Sequence, residues 1–313
     1  MKERIFYCNI NYQCNQRCRF CFSHHTSNEV SQRNDIACAE FERALENYKV
    51  NSHDKIVFNG GEPLLHPEIL TLLKLASSTG ARIVIFSNGT RLADMSLTCK
   101  IISLGVGRLV VPFHGRTAIH DRVTGITGSY DTVVKGIQNV IKLGAGNVIE
   151  LKFILTNLLA DSRLDILDFI AREFPSLVEN PIMMTGQVNT LVAERNSFLL
   201  EYTPQFCKYT ECMIRNATRF CPVKIVDLEL CRLSDDFVNW LVRKRFSVGT
   251  HAVDFYAMDG VTRNFNLYKF KERKDERCVT CKLRPFCMRV LEGYSALQLD
   301  REWTKVVLEA SCS

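Results

Sequence analysis

The sequence predicts an α/β chain: a partial (β/α)6 TIM-like barrel followed by a smaller C-terminal cysteine-rich α+β region. Three observations predict it. Six short apolar runs alternate with helix-spaced segments over the first part of the chain, the pattern of a parallel sheet joined by crossover helices. Polar residues and glycine recur where the runs end, and such barrels place their sites at strand C-termini. After about residue 195 the alternation stops and cysteines gather, so residues 1–195 and 196–313 are read as two regions.

Residues 4–12 alternate in character and read as a strand delivering the loop Cys14-Asn15-Gln16-Arg17-Cys18-Arg19-Phe20-Cys21. Helical spacing continues over 35–49, through Ile36, Phe41, Leu45 and Tyr48. Lys55–Asn59 is a short buried strand ending at Gly60-Gly61-Glu62-Pro63, with a helix from about Pro67 to Ser78. Arg82–Phe86 is the third strand, ending at Ser87-Asn88-Gly89-Thr90, and a helix near 93–103 comes next. The fourth strand, Arg108–Phe113, ends at His114-Gly115. A helix near 129–143, a strand at 148–155, a helix near 162–173 and a strand near 178–184 complete the six units.

Composition narrows the class. The 313 residues are 46% hydrophobic and 24% charged, ordinary values for a globular chain with a sizeable core. The N-terminus lacks the apolar stretch of a secretory signal, and no apolar run is long enough for a membrane helix. The expected location is cytoplasmic, with no membrane partner. Fourteen cysteines are many for a reducing compartment, where lasting disulfides are rare, so metal ligation accounts for at least six. The net charge of +6 is spread along the chain and does not by itself argue for nucleic acid. Residues 263–289 are locally basic, with nine Lys or Arg against three acids. This is a solvated loop, or a positive shell around an anionic cluster or acidic partner.

The chemistry starts with Cys14, Cys18 and Cys21. Thiolates are soft ligands suited to zinc or iron–sulfur clusters. A structural zinc wants four ligands, and this loop offers three. Three suit a cubane whose fourth iron stays open. Gly60 and Gly61 allow a close backbone approach, and Glu62 can accept hydrogen bonds from a cationic amine. The cysteine spacing, with Phe20 before the last thiol and the Gly-Gly-Glu-Pro turn one unit later, resembles the radical SAM superfamily. The resemblance implies a 4Fe–4S cluster on the three cysteines that binds S-adenosyl-L-methionine. It also gives Gly60, Gly61 and Glu62 the cofactor's methionyl amino group. Ser87 and Asn88 are candidates for its ribose or carboxylate, and Arg122 for its carboxylate. Pro112 stands where many such enzymes have a serine, so a hydroxyl contact is not expected there. His114 is a candidate substrate contact or proton carrier.

In the second region Cys278-Val279-Thr280-Cys281 with Cys287 reads as a further metal site. It resembles the middle of the SPASM and twitch extensions, which bind auxiliary iron–sulfur clusters. The resemblance implies one auxiliary 4Fe–4S cluster, because Leu291 stands where a full SPASM pattern has cysteine. Its fourth ligand is open among Cys212, Cys221, Cys231 and Cys312, and a structural zinc there is the alternative.

The function this implies is hydrogen-atom abstraction from an unactivated C–H of a natural-product substrate, peptide or small molecule, ending in oxidation or epimerisation. A flavodoxin- or ferredoxin-type reductant would supply the electron. Thirteen residues precede Cys14, so no leader-binding domain is expected before the barrel. The competing reading is a non-enzymatic metal module that grips RNA through Tyr268, Phe270 and Phe286 among basic residues. The Gly-Gly-Glu-Pro turn has no role in it.

Overall fold

The computed structural model describes residues 4–18, 21, 35–161, 165–186, 203–226, 228, 233–243, 247–248, 254–259, 266–267 and 306–308. Cys231, Cys278, Cys281, Cys287 and Cys312 lie outside the described residues, as do the RNA-reading aromatics and the expected boundary at 195/196.

The chain forms two compact units. The first holds residues 1–112, 124–150 and 251–269. Its strands are β1 (Arg4–Asn11), β2 (Lys55–Gly60), β3 (Arg82–Phe86) and β4 (Arg108–Phe113), the last ending at the unit's border. They lie side by side in chain order, and β1–β2, β2–β3 and β3–β4 are each parallel. Helices α1 (Cys38–Asn47), α2 (Ile69–Ser78) and α3 (Met95–Ser103) make the crossovers. Helix α2 turns an apolar stripe of Ile69, Leu72, Leu73 and Ala76 inward. Asp94 starts α3 by accepting from the N–H groups of Ser96 and Leu97.

Every residue of β1 from Ile5 to Asn11 is buried, on both faces of the strand. The edge of β1 away from β2 is paired by a strand the alternation did not reveal. Asp254–Asp259 runs parallel to β1 on the side away from β2, in register Arg4 to Asp254. A parallel strand covered on both faces reads as a continuous apolar run.

The second unit holds residues 113–123, 151–250 and 270–313. It contains α4 (Thr117–Thr124) up to Val123. Helix α5 (Ser129–Lys142) belongs to the first unit, and most of β5 (Ile149–Leu155) to the second. After β5 come α6 (Asn157–Asp161) and α7 (Ile166–Glu173). Parallel to β5 runs β6 (Ile182–Gly186), and parallel to β6 runs β7 (Val223–Val226). The strand expected near 178 begins at Ile182, because Pro181 precedes it and the chain from Pro175 to Leu177 is a helical turn. Beyond β6, α8 (Pro204–Ala217) is capped by Thr203, whose hydroxyl accepts from Phe206 N–H, and it leads into β7. The strand–helix alternation thus runs one unit past the six read from sequence. No helix among the described residues is long and apolar enough to cross a membrane.

Arg108 at the start of β4 donates to Glu150 at the start of β5, 2.5 Å away, and the carboxylate is fully buried. Glu150→Ala removes the buried partner of a guanidinium that water partly reaches, and is expected to cost about 2 kcal/mol. Urea unfolding of the two proteins measures it, and a change under about 1 kcal/mol would show that the pair carries no stability.

Candidate functional site

The C-termini of β1, β2 and β3 are neighbours, so the loops leaving these three strands meet. After β1 the cysteine loop continues as a ladder along the end of β2. Gly61 N–H donates to Asn11 O at 2.9 Å, and Glu62 N–H to Gln13 O at 2.7 Å. Asn11 Nδ2 donates back to Glu62 O at 2.8 Å. A Cβ on Gly60 would lie 2.2 Å from Asn11 O, and one on Gly61 2.2 Å from Gln13 O. The backbone of the cysteine loop itself therefore requires glycine at both positions.

Glu62 is fully buried, and its carboxylate ties β2 to β3. Oε1 accepts from Leu64 N–H at 3.0 Å and from Ser87 Oγ at 2.8 Å, while Oε2 accepts from Asn88 N–H at 2.6 Å. A carboxylate has about four acceptor positions, so one on Oε2 remains for a further donor. Burial pushes its pKa up to about 7, against the lowering pull of those donors and of Arg91.

Asn88 carries the connection on to the thiols. Its Nδ2 donates to Asn15 Oδ1 at 2.8 Å and reaches Cys14 Sγ at 3.8 Å. Its Oδ1 accepts from Thr90 N–H and Oγ1, and Asn15 Nδ2 donates to Thr90 Oγ1. Gln16 N–H donates to Cys14 Sγ at 3.4 Å, and Cys21 N–H to Cys18 O at 2.9 Å. The loop is also held from behind. Arg17 N–H donates to Thr124 O at 2.8 Å, and Gly125, at φ +68°, lets the chain pass against Arg17. Gln16 Nε2 donates to Ser129 Oγ at 2.9 Å.

The structure thus brings together Cys14, Cys18, Gly60, Gly61, Glu62, Ser87 and Asn88. Arg122 lies on α4 with its side chain exposed. His114 is buried against His120 rather than open at a strand end. The sequence does not mark Asn15, Gln16, Thr124 and Ser129 as supports of the loop.

Burial pushes the Cys14 thiol up to about 11. The N–H of Gln16 and the amide of Asn88 pull it down, while Glu62 and Cys21 push it up. Cys18 is raised well above its usual value by burial and then by the charges of Cys21 and Cys14. The thiols therefore sense one another. Among the described residues no three acids, thiols or imidazoles converge tightly enough to hold a single metal ion. The donor set suits a group that takes each thiolate on a separate iron.

A model of the radical SAM superfamily matches residues 8–170, more than half of the chain. The chain belongs to the radical SAM superfamily. Radical SAM proteins use a 4Fe–4S cluster and S-adenosyl-L-methionine, and the matched residues include the cysteine loop and the Gly-Gly-Glu turn. This radical SAM chain is 25% identical over 138 residues to the Fe-coproporphyrin III synthase of Methanosarcina barkeri, covering 44% of the chain and 34% of that protein. It is 28% identical over 167 residues to an S-adenosylmethionine-dependent nucleotide dehydratase of Selenomonas ruminantium, covering 50% and 58%. To the mycofactocin maturase MftC of Mycobacterium tuberculosis it is 25% identical over 140 residues, covering 44% and 34%. The chain spans about a third of the length of the first three curated relatives.

Among solved structures, native anSMEcpe with bound AdoMet superposes with a TM-score of 0.55 at 15% identity, over 68% of this chain and 60% of that one. The same protein is also known with AdoMet and a Cp18Cys peptide, at a TM-score of 0.53 and 14% identity, over 69% and 60%. These likenesses establish the α/β partial-barrel fold expected from the sequence.

Proposed function

We propose that this radical SAM protein abstracts a hydrogen atom from an unactivated C–H of a natural-product substrate, a peptide or a small molecule, leading to oxidation or epimerisation. One observation carries the reading. The cysteine loop is laced by main-chain hydrogen bonds to Gly61-Glu62 and by Asn88 to the end of β3, so the cysteine loop and the Gly-Gly-Glu turn form one constellation.

In this reading Cys14, Cys18 and Cys21 hold the cluster. Gly60, Gly61 and Glu62 receive the cofactor's amino group, with the remaining acceptor position on Glu62 Oε2 as its partner. Ser87 and Asn88 serve the ribose or carboxylate, and Arg122 the carboxylate. When bound, cluster and cofactor supply one-electron, hydrogen-abstracting chemistry. The chain's own part is to orient the target bond and exclude water.

Residues 196–313 form the auxiliary region in this proposal, with Cys278, Cys281 and Cys287 holding a second 4Fe–4S cluster. Of the upstream candidates for a fourth ligand, Cys212 is exposed on α8, whereas Cys221 is fully buried and its thiol donates to Ala217 O. That favours Cys212. The reductant is a flavodoxin- or ferredoxin-type protein. A peptide substrate draws support from a structural neighbour solved with one, and a small molecule from the tetrapyrrole and nucleotide relatives. Nothing among the described residues favours the RNA-binding alternative.

Anaerobic incubation of reconstituted protein with S-adenosyl-L-methionine and dithionite is expected to release 5′-deoxyadenosine. Cys18→Ala is expected to lower that yield at least about a hundredfold, because the loop retains only two thiols for the cluster. A variant as active as wild type would remove the loop from the site.

A further inference from the structure

Gln16 sits between the first two cysteines and is only 3% exposed. Its backbone N–H points at Cys14 Sγ, at 3.4 Å. Its side chain joins Cys18 to α5. Cys18 Sγ donates to Oε1 at 3.5 Å, and Nε2 donates to Ser129 Oγ at 2.9 Å. Ser129 is the first residue of α5 and is 2% exposed. That helix is fixed to the loop after β3. Asn139 Nδ2 donates to Leu92 O and Ala93 O, and Gly136 sits so close that a Cβ there would lie 2.5 Å from Gly89 O. The hydroxyl therefore stands on a rigid support.

This polarity suits a protonated thiol. Iron takes cysteine as the thiolate, which has no proton to donate. The amide oxygen would then face an anionic sulfur. A half-turn about the terminal torsion of glutamine exchanges oxygen and nitrogen with almost no change of shape. The serine hydroxyl tolerates the exchange, since it both donates and accepts.

We propose that Gln16 is a positioning residue of the cluster. With Cys18 ligated, its Nε2–H is directed at Cys18 Sγ and its Oε1 accepts from the Ser129 hydroxyl, so α5 sets the direction of a hydrogen bond to a cluster ligand. Hydrogen bonds to cluster sulfurs are among the determinants of reduction potential, because they stabilise the more negative, reduced state. The inference rests on the three cysteines of the loop being the ligands.

The test uses the full chain, reconstituted anaerobically, with iron content and an EPR-monitored redox titration as readouts. Gln16→Met keeps the length of the side chain without its amide. It is expected to bind wild-type iron and to shift the reduction equilibrium about tenfold toward the oxidised cluster, a midpoint lower by about 59 mV for one electron. Ser129→Ala is expected to move the midpoint the same way by less. The double variant is expected to move no further than Gln16→Met, since the hydroxyl acts only through the amide. A wild-type midpoint in iron-loaded Gln16→Met, or additive shifts in the double variant, would overturn the relay and leave the ligand assignment standing. If Gln16→Met loses iron, Ser129→Ala decides, and an unmoved midpoint overturns the relay. Wild-type iron in the first site of Cys18→Ala would overturn the ligand assignment and the relay together.

Discussion

Gly61→Ala is expected to destabilise the protein by about 4 kcal/mol and to prevent loading of the first cluster. The added Cβ would lie 2.2 Å from Gln13 O, 2.6 Å from Gln13 C and 2.7 Å from Tyr12 C. All three are backbone atoms, so no side chain can swing away. Relief requires the loop to leave β2, which breaks Gly61 N–H to Asn11 O and Glu62 N–H to Gln13 O. Overpacking costs about 1–3 kcal/mol and each lost hydrogen bond about 1. A fall in Tm of roughly 10 °C is expected for a chain of this size. Gly107→Ala is the control, since its Cβ would meet only Ile83 O, at an ordinary 3.5 Å. Differential scanning fluorimetry and iron analysis of both variants measure the contrast. If Gly61→Ala melted with the control and bound as much iron, the glycine would be needed for something other than seating the loop.

The same geometry shows what the sequence could and could not reveal. The cysteine loop, the Gly-Gly-Glu turn and Ser87-Asn88 were legible because each comes directly after an apolar run, and consecutive parallel strands place consecutive C-termini side by side. The pairing partners were not legible. Gln16 and Ser129 are 113 positions apart, and only the folded helix α5 brings that hydroxyl to the loop. The strand Asp254–Asp259 was hidden by its charged ends, although it pairs with β1 from Arg4 to Asn9. Helix α4 was hidden by its β-branched residues, Thr117, Ile119, Val123 and Thr124, which have modest helix propensity. The charge of Glu62 alone suggests a ligand contact. Leu64 N–H is local, but the other two donors, Ser87 Oγ and Asn88 N–H, and hence its role in joining β2 to β3, depend on the turn after β3.

Acidification from pH 6.5 to 4 is expected to remove about 3 kcal/mol of stability through His120 alone. Its ring lies 5.4 Å from that of Phe113 and 5.2 Å from that of His114, and Phe113 itself packs on Phe153, Phe169 and Phe174. Burial pushes the pKa of His120 down from 6.5 to about 4, and the charge of Asp121 opposes this. His114 is held well below 6.5 by burial, then by the charges of His120 and Lys152. Between about 4 and 6.5 the unfolded chain binds more protons than the folded one, so stability rises with pH and is complete above 6.5. A shift of about 2.5 units corresponds to about 3 kcal/mol. Glu62 runs the other way. Its carboxyl, raised to about 7, binds more protons when folded, so its contribution falls as pH rises from 4.5 to 7. The raw profile therefore understates the histidines, and a difference isolates them. Urea unfolding of wild type and His120→Leu at several pH values should show wild type losing about 3 kcal/mol more over the window. Parallel profiles would mean that the imidazole is solvated enough to keep its ordinary pKa. Both rings are neutral near pH 7 on this account. His114 is then poorly suited to the proton-carrying role its place after β4 suggested, because a proton there would have to be held in an aromatic interior.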